Sequence, residues 1–458
     1  MQEKIRNIHF IGIGGIGVSG LAEYFLKNGY NVSGSDLIES DITNRLKKLG
    51  AEIYTGHREN NLKDNINTVV YTSAVKGDNP EMIRAGKIGI RLLRRAEMLG
   101  EIVNDKYLIA ISGTHGKTTT TAMIGKLLVD AGLDPLIFAG GNAALFEGGS
   151  SRFGKGSYAV VEADEYDRSF LTLKADIAVI TNIDEDHLDI YKNLDDIKDT
   201  FQQFTEQSKE GGHVIYCGDD KNTNDFIGSV NREKISYGFD DKNYLKITDY
   251  NIKRNTLNFS ILNSHGAYSN INLNLIGRHN VLNSTACFAV SKILNISFEK
   301  YRESIGGFKT VDRRLQLKYD KGGVTVYDDY AHHPVEISSS ITGLKERGSN
   351  RIISVFQPHL YSRTKDFYME FAKELSKANE VILMDIYPAR EEPIKGVTSE
   401  MILNELKKIN ANVSLISDWN KIIEKLMNDI KSNDIIVFQG AGDITELCGQ
   451  FVKKLESK

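Results

Sequence analysis

The sequence predicts an α/β protein of three domains, each built around a mainly parallel sheet. Three observations carry this. The chain has 458 residues, too many for one core when a domain averages ~150. Apolar, β-branched runs alternate with helical patterns, as parallel sheets with crossover helices require. Three of those runs end in glycine-rich turns that open a helix, near residues 12, 113 and 440. In such sheets ligands sit at the carboxyl ends of the strands, so functional residues are sought there.

Composition narrows the classes. At 41% hydrophobic and 26% charged residues the chain reads as globular. Lys+Arg 57 against Asp+Glu 61, with no basic stripe, lacks the electrostatic footprint of a nucleic-acid binder. Cys217, Cys287 and Cys448 show no C-x-x-C spacing. They form neither a metal cage nor a disulfide framework, and read as buried thiols in a reducing compartment. The N-terminal apolar run is interrupted by glycines and Glu23, unlike a signal peptide or spanning helix. A cytoplasmic protein without membrane insertion is expected.

The first domain is expected over residues 1–104. Its strand from Ile8 runs into Gly12-Ile-Gly14-Gly15-Ile-Gly17, then a helix, then Asn31-Val-Ser-Gly-Ser-Asp36. This is a Rossmann-like fingerprint with Asp36 placed to meet a ribose. Alone it serves any pyrophosphate, that of NAD or of a nucleotide-sugar, and an NAD(P)-dependent oxidoreductase is one reading. Ser73 joins the candidate binding residues of this domain.

The central domain, residues 105–308, opens on Leu108-Ile-Ala-Ile-Ser-Gly113-Thr114-His115-Gly116-Lys117-Thr118-Thr119. A strand, a tight glycine turn and a helix N-terminus form a P-loop-like cradle for polyphosphate. Ile111 stands where the usual first glycine belongs, so the loop is a shortened G-x-x-G-K-T. Lys117 would reach terminal phosphates of ATP and Thr118 would ligate Mg²⁺. A nucleotide-binding switch without catalysis would use the same loop. Two later strands end in Glu162-Ala-Asp164-Glu165-Tyr-Asp167 and Thr181-Asn-Ile-Asp184-Glu-Asp186-His187-Leu-Asp189. Glu162, nearest the sheet edge, is the candidate Mg²⁺ ligand, since that ion prefers oxygen. His187 is a second metal ligand or a phosphate contact. Residues 244–276 alternate polar and apolar, predicting a small antiparallel sheet. In the following helix Asn280 suits an N-cap. Asn283, inside the helix, is harder to explain without a ligand.

The third domain, residues 309–458, reads as another Rossmann-like unit. It holds Asp312-Arg313-Arg314, Asp328-Asp329-Tyr330-Ala-His332-His333-Pro334 and Phe356-Gln-Pro-His359-Leu-Tyr361-Ser-Arg363. His359 and Arg363 are candidates for an anionic substrate, arginine suiting carboxylate and phosphate forks.

In order, the strings GIGGIGVSG, GTHGKTTT, VEADEYD, TNIDEDHLD, GRHNVLN, DRRLQ, DDYAHHP and FQPHLYSRT span nearly the whole chain. Together they resemble the Mur ligases, the ATP-dependent amino-acid ligases of peptidoglycan synthesis, and most of all the branch that adds the first residue. The resemblance implies three domains holding in turn the uridine diphosphate of the substrate, ATP and the amino acid. It implies UDP-N-acetylmuramate and L-alanine as substrates, with an acyl phosphate between them. Lys117 is then similar to the family's phosphate-binding lysine, Thr118 and Glu162 to its Mg²⁺ ligands, and His187 to the histidine near a second Mg²⁺. Asn283 is similar to the adenine-contacting asparagine. Arg314 and Asp329 correspond to the residues that reach the nucleotide from the third domain. The glycine turn is thereby assigned to UDP rather than NAD. One departure is noted: where several Mur ligases carry a carbamylated lysine this chain has Gln202, with Lys198 the nearest lysine. No carbamylation is assigned. The runner-up within the family is the ligase that reattaches a recycled tripeptide to the same sugar-nucleotide.

Overall fold

The computed structural model describes residues 6–140, 151–187, 190–253, 256–348, 351–389, 391–409 and 411–457, with Ile16 by its backbone alone. Asp189 and the first five residues, both used in the sequence reading, lie outside the described residues. The chain folds as two compact units. One comprises Met1–Ile247, Ile261–Ala267 and Leu282–Ser304; the other comprises Thr248–Ser260, Tyr268–Val281 and Ile305–Lys458.

The first unit begins with β1 (Asn7–Ile11), α1 (Ile16–Lys27), β2 (Asn31–Asp36), α2 (Asp41–Lys48), β3 (Glu52–Thr55), β4 (Thr68–Tyr71), α3 (Pro80–Ile88), β5 (Arg91–Arg94) and α4 (Arg95–Val103). All five strands are parallel, in the order β3-β2-β1-β4-β5. The order reverses at β1, so the glycine turn that follows β1 sits where an open α/β sheet offers its crevice. This is the Rossmann-like arrangement expected.

The chain continues through β6 (Tyr107–Ser112), α5 (Lys117–Asp130), β7 (Leu136–Phe138), β8 (Ser151–Phe153), β9 (Tyr158–Glu162), β10 (Ile177–Ile180), α6 (Leu194–Glu206), β11 (His213–Cys217), α7 (Lys221–Ile227) and β12 (Glu233–Gly238). These strands lie in the order β12-β11-β10-β6-β9-β7-β8. Pairing is parallel except for β8 on β7. The central strands β6 and β10 are buried on both faces, which is why they read as continuous apolar runs rather than alternating ones. The two sheets of this unit share a core. Tyr24 of α1 packs against Phe138 and Phe153, with ring centroids 6.2 and 6.0 Å away. Thr172 Oγ1 donates to Ala96 O of α4 at 2.9 Å.

β13 (Leu245–Lys253), β14 (Thr256–Asn263) and β15 (Gly266–Leu273) extend the same sheet beyond β12. Hydrogen bonds from Thr256 to Asn274 (3.0 Å) and Asn258 to Asn272 (2.8 Å) link residues advancing in opposite directions, the antiparallel register expected. The helix that follows, α8 (Arg278–Ile293), begins two residues earlier than the sequence suggested. Asn280 therefore lies within its first turn, and its Nδ2 donates back to Ile276 O at 2.7 Å. That corrects the N-cap reading, because a cap must accept from the helix. α9 (Phe298–Gly306) leads into the last sheet.

The second unit is built on β16 (Gln316–Lys321), β17 (Val324–Asp329), α10 (Pro334–Lys345), β18 (Ile352–Phe356), α11 (Tyr361–Leu375), β19 (Glu380–Leu383), α12 (Glu400–Lys408), β20 (Val413–Leu415), α13 (Trp419–Asp429), β21 (Ile435–Gln439) and α14 (Ile444–Glu456). The order is β16-β17-β21-β18-β19-β20, with β16 antiparallel at the edge and the rest parallel. Successive strand residues feed opposite faces. Tyr327, Phe356 and Val437 pack with α10 and α11, while Val326, Val355 and Phe438 pack with α13 and α14.

Candidate active site

The loop between β6 and α5 takes its shape from two glycines. Gly113 has φ +135° and Gly116 has φ +85°, conformations that side chains rarely adopt. A Cβ on Gly113 would stand 2.9 Å from Asn182 O, and one on Gly116 would stand 2.8 Å from Asn283 Oδ1. Asn283, buried on α8, thus lies beside the loop. The strand-end string after β10 props the loop from beneath. Asn182 Oδ1 accepts from His115 N at 2.9 Å, Thr181 Oγ1 donates to His115 O at 2.6 Å, and Asp184 N donates to Thr114 Oγ1 at 2.8 Å. Thr181 and Asn182 were not singled out from the sequence; their signal is that they precede the acidic string at a strand end.

Lys117, the first residue of α5, curls back over the loop. Its Nζ donates to Gly113 O at 2.7 Å, Thr114 O at 3.2 Å and Glu165 Oε1 at 2.7 Å. Thr118 Oγ1 donates to Glu162 Oε1 at 3.1 Å, and Glu162 Oε2 accepts from Gly140 N at 2.6 Å. The two residues read as Mg²⁺ ligands therefore meet. Thr119 is buried in the next position of the helix.

Glu165 is the residue that sequence reasoning passed over. It is buried, salt-bridged to Lys117, and fixed by Tyr191, whose hydroxyl donates to Glu165 O at 2.5 Å. Its partner oxygen Oε2 has no hydrogen-bond donor among the described residues. Burial pushes the Glu165 carboxyl up to about 7 against the opposing pull of Lys117. Burial works against the Lys117 charge as well, but Glu165, Asp164 and Glu162 more than offset it and raise its pKa. Glu165 pairs with the ammonium directly, while Glu162, held against Thr118 Oγ1, supplies a hard oxygen donor that fits a divalent cation such as Mg²⁺.

His187 is held with φ +57° and its Nε2 lies 3.8 Å from Glu165 Oε1 and 3.9 Å from Asp186 Oδ2. Its ring meets Tyr166 edge-on at 5.1 Å. Lys198 is engaged with Asp225 at 2.7 Å, and Gln202 donates to Glu206 at 2.8 Å.

At the N-terminal turn, Gly12 N and Ile13 N both donate to Ser35 O, at 2.8 and 3.1 Å. Gly15 caps α1 and Gly17 lies in its first turn. Asp36 uses its carboxylate to brace the turn. Oδ2 accepts from Gly14 N and Oδ1 from Leu37 N, each at 2.8 Å. A Cβ at Gly14 would stand 2.9 Å from that Oδ2. Ser73 is exposed in the turn after β4.

In the second unit, Asp329 ends β17 fully enclosed. Ser340 Oγ donates to its Oδ2 at 2.5 Å and Leu315 N to its Oδ1 at 3.2 Å. Burial pushes its carboxyl up to about 6. Arg314 reaches Glu336 at 3.2 Å and stacks over Tyr330. Arg363 Nη1 lies 3.4 Å from His359 Nδ1, and the His359 ring stacks on Tyr387 at 5.9 Å and meets His332 at 5.8 Å. The two residues assigned to an anionic substrate thus form one cluster with two further rings.

Comparison with known proteins extends these findings. Residues 7–107 match the Mur ligase family, catalytic domain; residues 111–291 match the Mur ligase middle domain; residues 313–442 match the Mur ligase, glutamate ligase domain. The chain is 43% identical over 456 residues to the UDP-N-acetylmuramate–L-alanine ligase of Geotalea daltonii, covering 99% of each. It is 42% identical over 452 residues to the enzyme of that name from Clostridium tetani, covering 98% of each. Its fold is similar to the crystal structure of UDP-N-acetylmuramate-alanine ligase from Thermotoga maritima, with a TM-score of 0.83, 29% identity and coverage of 98% of this chain and 99% of that one. A murein peptide ligase from Psychrobacter arcticus, at 23% identity and a TM-score of 0.71 with 99% of each chain covered, shares the fold. With three domain matches in order, and relatives of this identity over essentially its full length, the chain belongs to the Mur ligase family.

Proposed function

We propose that the protein joins L-alanine to the lactyl carboxylate of UDP-N-acetylmuramate at the expense of ATP, giving UDP-N-acetylmuramoyl-L-alanine, ADP and phosphate for peptidoglycan synthesis. The observation that carries this is the Lys117–Glu165 and Thr118–Glu162 pairing over the glycine loop, in a chain 43% identical to ligases of that name. A carboxylate oxygen attacks the γ-phosphorus and ADP leaves. The alanine amine then attacks the acyl carbon, the phosphate leaves, and the amine releases its proton. Lys117 neutralises charge that builds on the transferring phosphoryl oxygens, and the loop N–H groups orient them. Mg²⁺ held by Thr118 and Glu162, with His187 near a second ion, would supply further charge neutralisation. Imidazole is an uncommon Mg²⁺ partner, so His187 acts through water or on phosphate.

Asn283, Arg314 and Asp329 are assigned to the nucleotide, Gly12, Gly14, Gly15, Gly17, Asp36 and Ser73 to the UDP moiety, and His359 and Arg363 to the amino acid. A cytoplasmic site of action follows from the substrates. It is supported by three free, buried cysteines and by the absence, among the described residues, of a helix long and apolar enough to cross a membrane. Phosphate release with ATP and UDP-N-acetylmuramate, measured against each amino acid and against the tripeptide, tests the reading. Turnover with alanine supports it. Turnover with the tripeptide alone identifies the recycling ligase, and oxidation of NADH without phosphate release would restore the oxidoreductase reading.

A further inference from the structure

The third glycine turn, Gly440-Ala441-Gly442-Asp443, follows β21 and opens α14. Gly442 does not adopt a positive φ, so glycine is demanded there by space rather than by backbone conformation. A Cβ on Gly442 would stand 2.5 Å from Tyr387 Cγ and would press on Gln357 Oε1 as well. The turn is braced against yielding. Gln357 Nε2 donates to Asp443 Oδ1 at 2.7 Å, Gln357 Oε1 accepts from Ile444 N at 3.2 Å, and Arg313 Nη2 donates to Gly440 O at 2.5 Å. Tyr387 is fixed from its other sides too. Its N–H donates to Pro358 O at 2.8 Å, its carbonyl accepts from Leu360 N at 3.0 Å, and its ring stacks on His359 with the planes 13° apart. Leu360 is itself held at φ +72°, a strained conformation for a bulky residue that persists where the surroundings over-determine it, commonly at functional sites. Tyr387 is thus a rigid aromatic wall beside His359 and Arg363. Tyr330, the other tyrosine of this cluster, is already covered by Arg313 and Arg314, 4.9 and 5.3 Å from its ring centroid.

We propose that Tyr387, backed by Gly442, is the specificity-determining residue that limits the incoming amino acid to a side chain the size of a methyl group. The inference rests on assigning His359 and Arg363 to the amino acid. A guanidinium and an imidazole take its carboxylate. In an α-amino acid the side chain branches from the carbon that bears that carboxylate, so it lies against whatever adjoins His359. That neighbour is the Tyr387 ring, an apolar face suited to a methyl group and anchored too firmly to make room for a longer chain. A pocket of this kind discriminates against a change of one methylene by roughly 10- to 200-fold. Glycine fits the same space but forgoes the contact.

Phosphate release by the full-length protein with ATP and UDP-N-acetylmuramate tests this, with kcat/KM measured for L-alanine, glycine, L-2-aminobutyrate and L-valine. Wild type should favour alanine over 2-aminobutyrate by roughly 10-fold or more. Tyr387→Ala should shrink that ratio roughly 10-fold, with Tyr387→Leu as a milder truncation that moves it the same way. Tyr387→Phe, which keeps the ring, should preserve the ratio. Gly442→Ala should act in the opposite sense, because the added methyl drives the ring toward the site, so alanine should lose more than glycine does. The KM for ATP should stay within about twofold in every variant, a control for folding. A ratio of alanine to 2-aminobutyrate left unchanged in Tyr387→Ala and Tyr387→Leu overturns the Tyr387 assignment alone, as does a wild type that does not distinguish the two amino acids. A wild type active with the tripeptide and with no free amino acid overturns the alanine reading, and this assignment with it.

Discussion

At the glycine loop the Lys117 ammonium is paired with the Glu165 carboxylate, and the consequences of removing either side differ. Lys117→Ala should leave the fold intact and lower turnover roughly 10²-fold or more, because it removes a charge that matters most as the phosphoryl group transfers; a folded variant with near wild-type phosphate release would refute the phosphate-loop assignment. Glu165→Ala does the opposite to the resting protein. It strips a buried lysine of its 2.7 Å partner, and breaking such a pair typically costs about 3 kcal/mol. ATP brings replacement negative charge to the same ammonium. The thermal stability of Glu165→Ala should therefore fall well below wild type without ATP, and the gap should narrow when MgATP is added. A gap that ATP leaves untouched would show that Glu165 serves only the fold.

At the scale of elements, the three strand–glycine–helix units were legible because their signals are local: an apolar run, a turn that needs glycine, and a helix start. The meeting of Thr118 with Glu162 beside Lys117 was legible for the same reason, since a strand end fixes what is presented. Glu165 was not. Its importance comes from Lys117 curling back across 48 positions of sequence, and nothing in four neighbouring acids tells which one is buried. The N-cap reading of Asn280 failed similarly, because Asn280 Nδ2 bonds Ile276 O and the helix starts earlier. Asp36, which the sequence places to meet a ribose, also braces the folded turn, accepting from Gly14 N and Leu37 N. That bracing makes the turn sensitive to any side chain at Gly14. A side chain at Gly14 would press on Asp36 Oδ2 from 2.9 Å and open the turn. Gly14→Val should raise the KM for UDP-N-acetylmuramate roughly 10-fold or more, and leave the KM for ATP near wild type. Equal losses for both substrates would mean that the turn does not act separately from the ATP loop.

For the whole molecule, two compact units mean that one unfolding free energy does not describe the chain, and heating should show two transitions rather than one. Asp329 marks the transition of the second unit. Its carboxyl sits at about 6, raised by burial from an ordinary value of 3.8, so the folded unit still binds a proton that the unfolded chain has released. The contribution is therefore full below about pH 4 and is lost as pH rises through about 6, the reverse of a salt-bridged acid. A shift of this size is worth about 3 kcal/mol at most. Between those pH values the melting temperature of the second unit should fall in wild type, and Asp329→Asn, which cannot ionise but keeps an oxygen for Leu315 N, should flatten the slope. The first unit should respond to MgATP by mass action and lose that response in Lys117→Ala, while its pH profile is unaffected by Asp329→Asn. Differential scanning calorimetry across pH 4 to 7 measures all of these. A single transition, or an unchanged slope in Asp329→Asn, would show that the buried aspartate does not govern the stability of its unit.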